Sequence, residues 1–171
     1  MRARALAFPG VRNMSRVVVG RPLRPSHSRI ASDEERDHYW GRLRSMWRTT
    51  HPGVPTCNPV SISQRSVSVL ASRTYHICLK SDGVRYVLML ATRPDGTPVA
   101  LMVDRSRNMY EVEVVAHEDY FVRGTVLEGE LVWRQPHEDT MILYVFDAIC
   151  IKGEYLACRP FRERIERVEA V

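Results

Sequence analysis

The residues of this sequence that could do chemistry are concentrated in one short segment, KSDGVR at positions 80–85. The segment joins two apolar runs, so Lys80 ends one predicted strand and Arg85 begins the next, across a turn at Asp82 and Gly83. An amine and a guanidinium arranged in this way can face one pocket and meet the same nucleotide, since the guanidinium fork matches phosphate. A lone lysine at a strand end is more often a solvated edge charge. The spacing, and not the lysine itself, therefore favours nucleotide chemistry.

The elements that would position these residues are predicted from hydrophobic periodicity. Ser32 and Glu35 form a capping box, which predicts a helix beginning at Ser32 with Tyr39, Leu43 and Trp47 on one face. The same patterns predict a helix at 64–71, strands at 75–80, 86–92, 99–103, 110–115, 120–122, 125–133 and 141–151, and a final amphipathic helix after residue 160. Helices followed by short strands and hairpin turns indicate an α+β domain built on an antiparallel sheet.

The composition fits one globular domain and a mildly basic chain. The 171 residues carry a formal net charge of +5, which suits a partner that bears phosphates. The cysteines at 57, 78, 150 and 158 form no C-x-x-C pair, so we expect reduced thiols and no zinc site. No apolar run approaches the roughly 20 residues of a membrane span, so we expect no membrane partner.

The first 31 residues differ from the rest of the chain, because they contain seven arginines and no acid. We predict that residues 1–31 are a disordered basic extension; an organelle transit peptide is the alternative. Residues 32–171 are then the folded domain.

Three segments in order resemble the motifs of the covalent nucleotidyltransferases, which comprise mRNA capping guanylyltransferases and ATP- or NAD-dependent ligases. KSDGVR resembles motif I, KxDGxR. LEGELV at 127–132 resembles motif III, and YVFDA at 144–148 resembles motif IIIa. One six-residue pattern would recur by chance, whereas three in the family's order are specific.

The surrounding sequence resembles the capping branch of that family. A Pro-Gly segment and the stretch PVSIS at 59–63 precede motif I, as in capping enzymes, and DRSRNMY at 104–110 is similar to their Asp-Arg…Tyr segment. The resemblance covers residues 52–155 and implies an antiparallel-sheet nucleotidyltransferase fold.

The resemblance implies a two-step reaction, in which Lys80 attacks the α-phosphate of GTP and the bound GMP then passes to the 5′-diphosphate end of RNA. Arg85 would contact the ribose or a phosphate, and Phe146 would stack on the guanine. Asp82 and Gly83 would shape the turn, with Gly83 supplying a positive φ, and Asp147 would orient the pocket.

A divalent cation, Mg²⁺ or Mn²⁺, is also implied, because phosphoryl transfer depends on charge neutralisation. Glu130 is the best acid to bind this metal, or else a ribose hydroxyl. The resemblance further implies work at the 5′ end of mRNA in the nucleus, or in the host nucleus or viral factory of a large DNA virus. An RNA triphosphatase, a cap methyltransferase and RNA polymerase subunits are the implied partners.

The sequence departs from the family pattern in two ways. Glu128 replaces the usual aspartate of motif III, and Leu79 stands where many members carry an acid. After residue 155 nothing resembles motifs IV and V or the OB-fold domain with motif VI. We therefore predict the N-terminal part of a nucleotidyltransferase, whether a fragment, a split gene or a degenerate copy. An ATP-dependent ligase-like enzyme and an inactive remnant that binds RNA or a partner are the alternatives.

Overall fold

The computed structural model describes residues 15–19, 32–56, 60–72, 75, 81–133 and 141–169. The strands in this part of the chain are β1 Ser15–Val19, β2 Val84–Thr92, β3 Pro98–Val103, β4 Met109–Val112, β5 Thr125–Trp133, β6 Met141–Ile151 and β7 Glu154–Tyr155. The helices are α1 Asp33–Trp47, α2 Gln64–Ser72, α3 Glu118–Val122 and α4 Phe161–Glu169. The strands form one sheet in the order β1-β6-β5-β2-β3-β4, with β7 also paired to β6, and every pairing is antiparallel. The predicted α+β class is confirmed.

The sheet carries a hydrophobic core on each face. Alternate residues of β2 enter opposite cores, so Val87 and Met89 pack on the side of α1 while Leu88 and Leu90 pack on the other side. This arrangement explains why β2 is buried continuously from Val87 to Ala91 and has no polar face.

Helix α1 follows its sequence pattern closely. The Ser32 side chain accepts a hydrogen bond from the backbone N–H of Glu35 at 3.2 Å, which caps the first turn. Tyr39, Leu43 and Trp47 are buried against the sheet, as predicted. Arg48 ends the helix in the left-handed conformation, with φ of 53°.

Two expectations differ from the structure. The predicted strand at 120–122 is wrong, because these residues belong to helix α3, which His117 caps by accepting from the N–H of Asp119. A three-residue apolar run does not separate helix from strand by itself. The expected disorder of residues 1–31 does not hold for Ser15–Val19, which pairs with the edge of β6. The division of the chain at residue 31 otherwise remains a prediction.

Strands β5 and β6 have the bounds that the sequence predicted. Of the predicted strand at 75–80, only Tyr75 is described, and it lies outside any strand. None of the helices in the described part of the chain combines the length and the apolar character needed to span a bilayer.

Candidate functional site

The register between β2 and β5 brings motifs I and III together. Arg85 is the cross-strand partner of Glu130, and Val87 is the partner of Glu128. Because side chains alternate along a strand, Arg85, Glu128 and Glu130 share the face on which α1 packs. We call these three residues the polar half of that face, and the apolar residues under α1 the apolar half.

Glu130 holds the turn that follows Lys80. One oxygen of its carboxylate accepts a hydrogen bond from the hydroxyl of Ser81, and the other accepts from the backbone N–H of Gly83 at 3.1 Å. Lys80 lies outside the described residues, so its predicted position stays a prediction. Two bonds to one carboxylate fix the peptide directly next to Lys80, so Glu130 has a structural task that the sequence did not suggest.

Gly83 is required for a different reason from the one predicted. Its φ does not lie in the positive range, unlike that of Gly96 in the following hairpin. A Cβ at position 83 would instead lie 2.2 Å from the carbonyl oxygen of Leu131. The glycine therefore allows the start of β2 to approach β5 closely.

A buried ion pair lies at the centre of the polar half. The Nη2 of Arg85 donates to Oε1 of Glu128 at 2.8 Å, and the Glu128 side chain is only 2 % exposed. Burial raises the pKa of the Glu128 carboxyl, while the charge and hydrogen bond of Arg85 oppose this shift. Glu128 thus keeps the negative charge of motif III and uses it to orient Arg85.

Phe146 lies at an irregularity in the pairing of β5 with β6. Glu128 pairs with Asp147 and Gly129 pairs with Val145, so Phe146 is the extra residue of a bulge. The Cζ of Arg85 lies 5.1 Å from the centroid of the Phe146 ring. An aromatic ring and a guanidinium from different motifs therefore lie within the distance of a cation–π interaction.

Asp147 does not contact Arg85 or Glu130 by any bond that the structure defines. Its carboxylate accepts two hydrogen bonds from Arg164 of α4 and one from the N–H of Ala148. Arg164 was not predicted from the sequence, because it lies 17 residues from Asp147 on a helix and no local pattern links the two residues.

Asp82 is exposed in the turn.

The turn between β3 and β4 flanks the same end of the sheet, since Val103 pairs with Val87. Asp104 closes this turn by accepting from the N–H and the side-chain amide of Asn108, at 2.9 and 2.8 Å. The hydroxyl of Tyr110 also donates to Asp104, at 3.3 Å. The DRSRNMY segment thus forms a braced turn beside the polar half.

The described residues do not by themselves form a site for a divalent metal. They contain no group of three or more His, Cys, Asp or Glu side chains arranged to hold a metal ion. Glu128 and Asp147, the acids nearest to Glu130 along the sheet, are occupied by Arg85 and Arg164. A metal at Glu130 would need most of its ligands from elsewhere, such as substrate phosphates and water.

The antiparallel sheet with its helices is compatible with a fragment of a nucleotidyltransferase domain, and comparisons with known proteins support that class. Residues 26–170 match the family model described as mRNA capping enzyme, catalytic domain. The chain belongs to this family of mRNA capping enzymes.

Similar proteins include mRNA-capping enzyme alpha subunits from fungi. The Neurospora crassa protein is 34% identical over 87 residues, which cover 47% of this chain and 22% of the relative. The Schizosaccharomyces pombe protein is 29% identical over 136 residues, covering 72% of this chain and 34% of the relative. A Caenorhabditis elegans mRNA-capping enzyme is 26% identical over 86 residues, or 50% of this chain and 13% of the relative. The match thus spans at most about a third of these relatives' length.

Proposed function

We propose that this chain is the N-terminal part of a GTP:RNA guanylyltransferase with the nucleotidyltransferase fold. The observation that carries the proposal is the convergence of motifs I, III and IIIa at one end of the sheet. Glu130 binds the turn after Lys80, Glu128 binds Arg85, and Arg85 lies against Phe146. Three separate segments with the family's motif order therefore supply one set of interacting residues.

In the proposed first step, the unprotonated Nζ of Lys80 forms a bond to the α-phosphorus of GTP. The bond from that phosphorus to the bridging oxygen breaks, and pyrophosphate leaves. In the second step, a terminal oxygen of the 5′-diphosphate RNA attacks the same phosphorus. The nitrogen–phosphorus bond breaks and the amine is released, so the RNA gains GMP and Lys80 is regenerated.

The described residues support this reaction by holding the nucleotide and the nucleophile. Glu130 would fix the Ser81–Gly83 turn so that Lys80 enters the pocket at a constant position. Arg85, oriented by Glu128, would bind a phosphate or the ribose, and Phe146 would stack on the guanine. Asp82 would shape the turn.

A divalent cation, Mg²⁺ or Mn²⁺, would supply charge neutralisation on the phosphates when bound. Glu130 is the candidate to provide one ligand to it, in agreement with the tendency of Mg²⁺ to take one or two carboxylates together with substrate oxygens.

We further propose the cellular setting from the printed names of the relatives. The printed name mRNA-capping enzyme supports a substrate at the 5′ end of mRNA. The proposed site of action is the nucleus, or a host nucleus or viral factory. An RNA triphosphatase, a cap methyltransferase and RNA polymerase subunits are the proposed protein partners.

The test uses an unusual property of this sequence, which contains only two lysines, Lys80 and Lys152. The protein is incubated with GTP or ATP labelled in the α-phosphate, and the labelled peptide is mapped. We expect a GTP-specific adduct that is lost in Lys80→Met and kept in Lys152→Met, the matched control.

Each other result is decisive. An adduct with ATP alone would favour a ligase-like enzyme. A label that survives in Lys80→Met would overturn the assignment of the nucleophile. No adduct in the folded wild-type chain would overturn the proposed lysyl-GMP chemistry of this chain and would favour a remnant that binds RNA or a partner.

A further inference from the structure

Arg164 of helix α4 binds Asp147 on β6, the strand that carries motif IIIa. Its Nε donates to Oδ1 of Asp147 at 2.7 Å and its Nη2 donates to Oδ2 at 2.9 Å. Two parallel bonds fix the carboxylate in both position and orientation. The Nη1 of Arg164 also donates to the carbonyl oxygen of Arg159 at 2.6 Å. The guanidinium is therefore anchored at both ends, and the pair is shielded from water, with side chains 16 % and 13 % exposed.

This contact occurs at a part of the outer edge of β6 that pairs with none of the described strands. In the described chain, the pairing with β1 extends to Val145 and the pairing with β7 begins at Cys150. Between them lies the bulge with Phe146 and Asp147. A bulged residue takes its direction from the backbone on either side. The two hydrogen bonds from Arg164 to Asp147 therefore restrain the backbone next to Phe146, at a position where no described strand forms hydrogen bonds with that edge of β6.

We infer that Arg164 is a positioning residue, which acts through Asp147 to aim the Phe146 ring and, with it, the Arg85 guanidinium 5.1 Å away. The relevance of this role to GTP rests on the proposed function, in which Phe146 stacks on the base. Arg164 itself touches no reacting atom in that scheme.

The matched variants are on the same helix. Arg164→Met keeps a long side chain without donors, and Arg164→Lys keeps the charge but not the fork. Arg162→Met is the control, because Arg162 pairs across one helical turn with Glu166, at 2.9 Å on the exposed surface. All three remove one guanidinium from α4.

The first measurement is NMR of the arginine side chains, with the Arg85 signals assigned by their loss in Arg85→Lys. An aromatic ring next to a guanidinium shifts the resonances of the guanidinium, so the Arg85 signals report the position of the Phe146 ring. We expect them to move toward the values of a free arginine in Arg164→Met, to move part of the way in Arg164→Lys, and to stay unchanged in Arg162→Met. Unchanged Arg85 signals in folded Arg164→Met would overturn the inference.

The second measurement is the GTP concentration dependence of adduct formation. A base that loses its stacking platform binds more weakly, so the KM for GTP should rise about tenfold in Arg164→Met while the rate at saturating GTP stays within about twofold. A fall in that rate at constant KM would contradict the inference. If the wild-type chain forms no adduct, the proposed function fails, whereas the NMR result still decides the positioning role. If Arg164→Met does not fold, Arg164→Lys and Asp147→Asn provide the same two measurements.

Discussion

The apolar half and the polar half occupy one face of the same strands, yet they stabilise the protein differently. In the apolar half, Val87 and Met89 share a hydrophobic cluster with Tyr39 and Leu43 of α1. One side-chain step along β2, Arg85 pairs with a buried carboxylate. The change from core to site therefore takes place within a single strand.

The two halves are held by different interactions, with apolar burial in one and a paired charge in the other. Burying apolar area is favourable for each residue alone, whereas a buried Glu128 is tolerated only with Arg85 in place. The raised pKa of Glu128, which is due first to burial, is the sign of that cost.

The largest expected effect comes from removing one partner of the buried ion pair. Arg85→Met leaves the Glu128 carboxylate without its contact at 2.8 Å, and breaking such a pair costs about 3–5 kcal/mol. The measurement is urea unfolding at neutral pH, and Arg162→Met on the surface should change the free energy of unfolding by less than about 0.5 kcal/mol.

The double variant Arg85→Met, Glu128→Leu tests whether the loss of stability comes from the unpaired Glu128 charge. Because it removes both charges, it should regain most of the lost stability although the site is destroyed. A loss below about 1 kcal/mol in Arg85→Met alone would contradict the view that the polar half depends on this pair.

The next effect lies in the apolar half. Leu43 is fully buried, so Leu43→Ala should lower the free energy of unfolding by about 3 kcal/mol through lost burial and a new cavity. Because the polar half keeps its own contacts, adduct formation per folded molecule should not change. If the loss of adduct exceeds the fraction of unfolded protein, the polar half depends on the packing of the apolar half.

A smaller effect is expected where the turn after Lys80 approaches β5. Gly83→Ala would place a Cβ 2.2 Å from the Leu131 carbonyl oxygen, so the strands must separate, at a cost of about 2 kcal/mol. Gly41→Ala is the control, since its Cβ meets no atom within 4 Å and alanine favours the helix by about 0.5–1 kcal/mol. If both variants are stabilised, the close approach of β2 and β5 is refuted.

The smallest effect concerns alkaline pH in the apolar half. Burial raises the pKa of the Tyr39 phenol, which the nearby Arg93 partly opposes. The phenol of the unfolded chain ionises near pH 10, and that of the folded chain ionises at a higher pH. The contribution of Tyr39 to the free energy of unfolding is therefore complete below about pH 10 and is lost as the pH rises through the folded-state pKa. The stability of wild type relative to Tyr39→Phe should therefore stay constant up to about pH 9 and fall as the pH rises above about 10, measured by urea unfolding at each pH. A difference that stays constant above about pH 10 would contradict it.

Local sequence signals predicted the elements that depend on local rules. Ser32 caps α1 because its side chain has only to reach a backbone N–H in the first turn, and the bounds of β6 follow from a long, mostly apolar run. Helix α3 was missed because its short apolar run, Tyr120 and Phe121, is buried by tertiary packing and not selected by periodicity. The two-residue strand β7 follows a turn in which Gly153 has a positive φ, and so short a strand has no period to detect.

The site was predicted through its motifs and not through its contacts. Arg85, Glu130 and Phe146 were named from the sequence, and the structure brings them together at one end of the sheet. Their partners were not foreseen, because Glu128 lies 43 residues from Arg85 and the pairing depends on strand register. The clash that requires Gly83 likewise exists only once β2 is placed against β5.

Strand β1 has a practical consequence for anyone who shortens this protein. It covers the backbone of β6 from Met141 to Val145. A version that starts at Ser32, where the basic composition ends, would leave those amide and carbonyl groups open to a neighbouring molecule. Such a truncated preparation would tend to self-associate through β6, and its oligomers would be a product of the cut and no property of the natural chain.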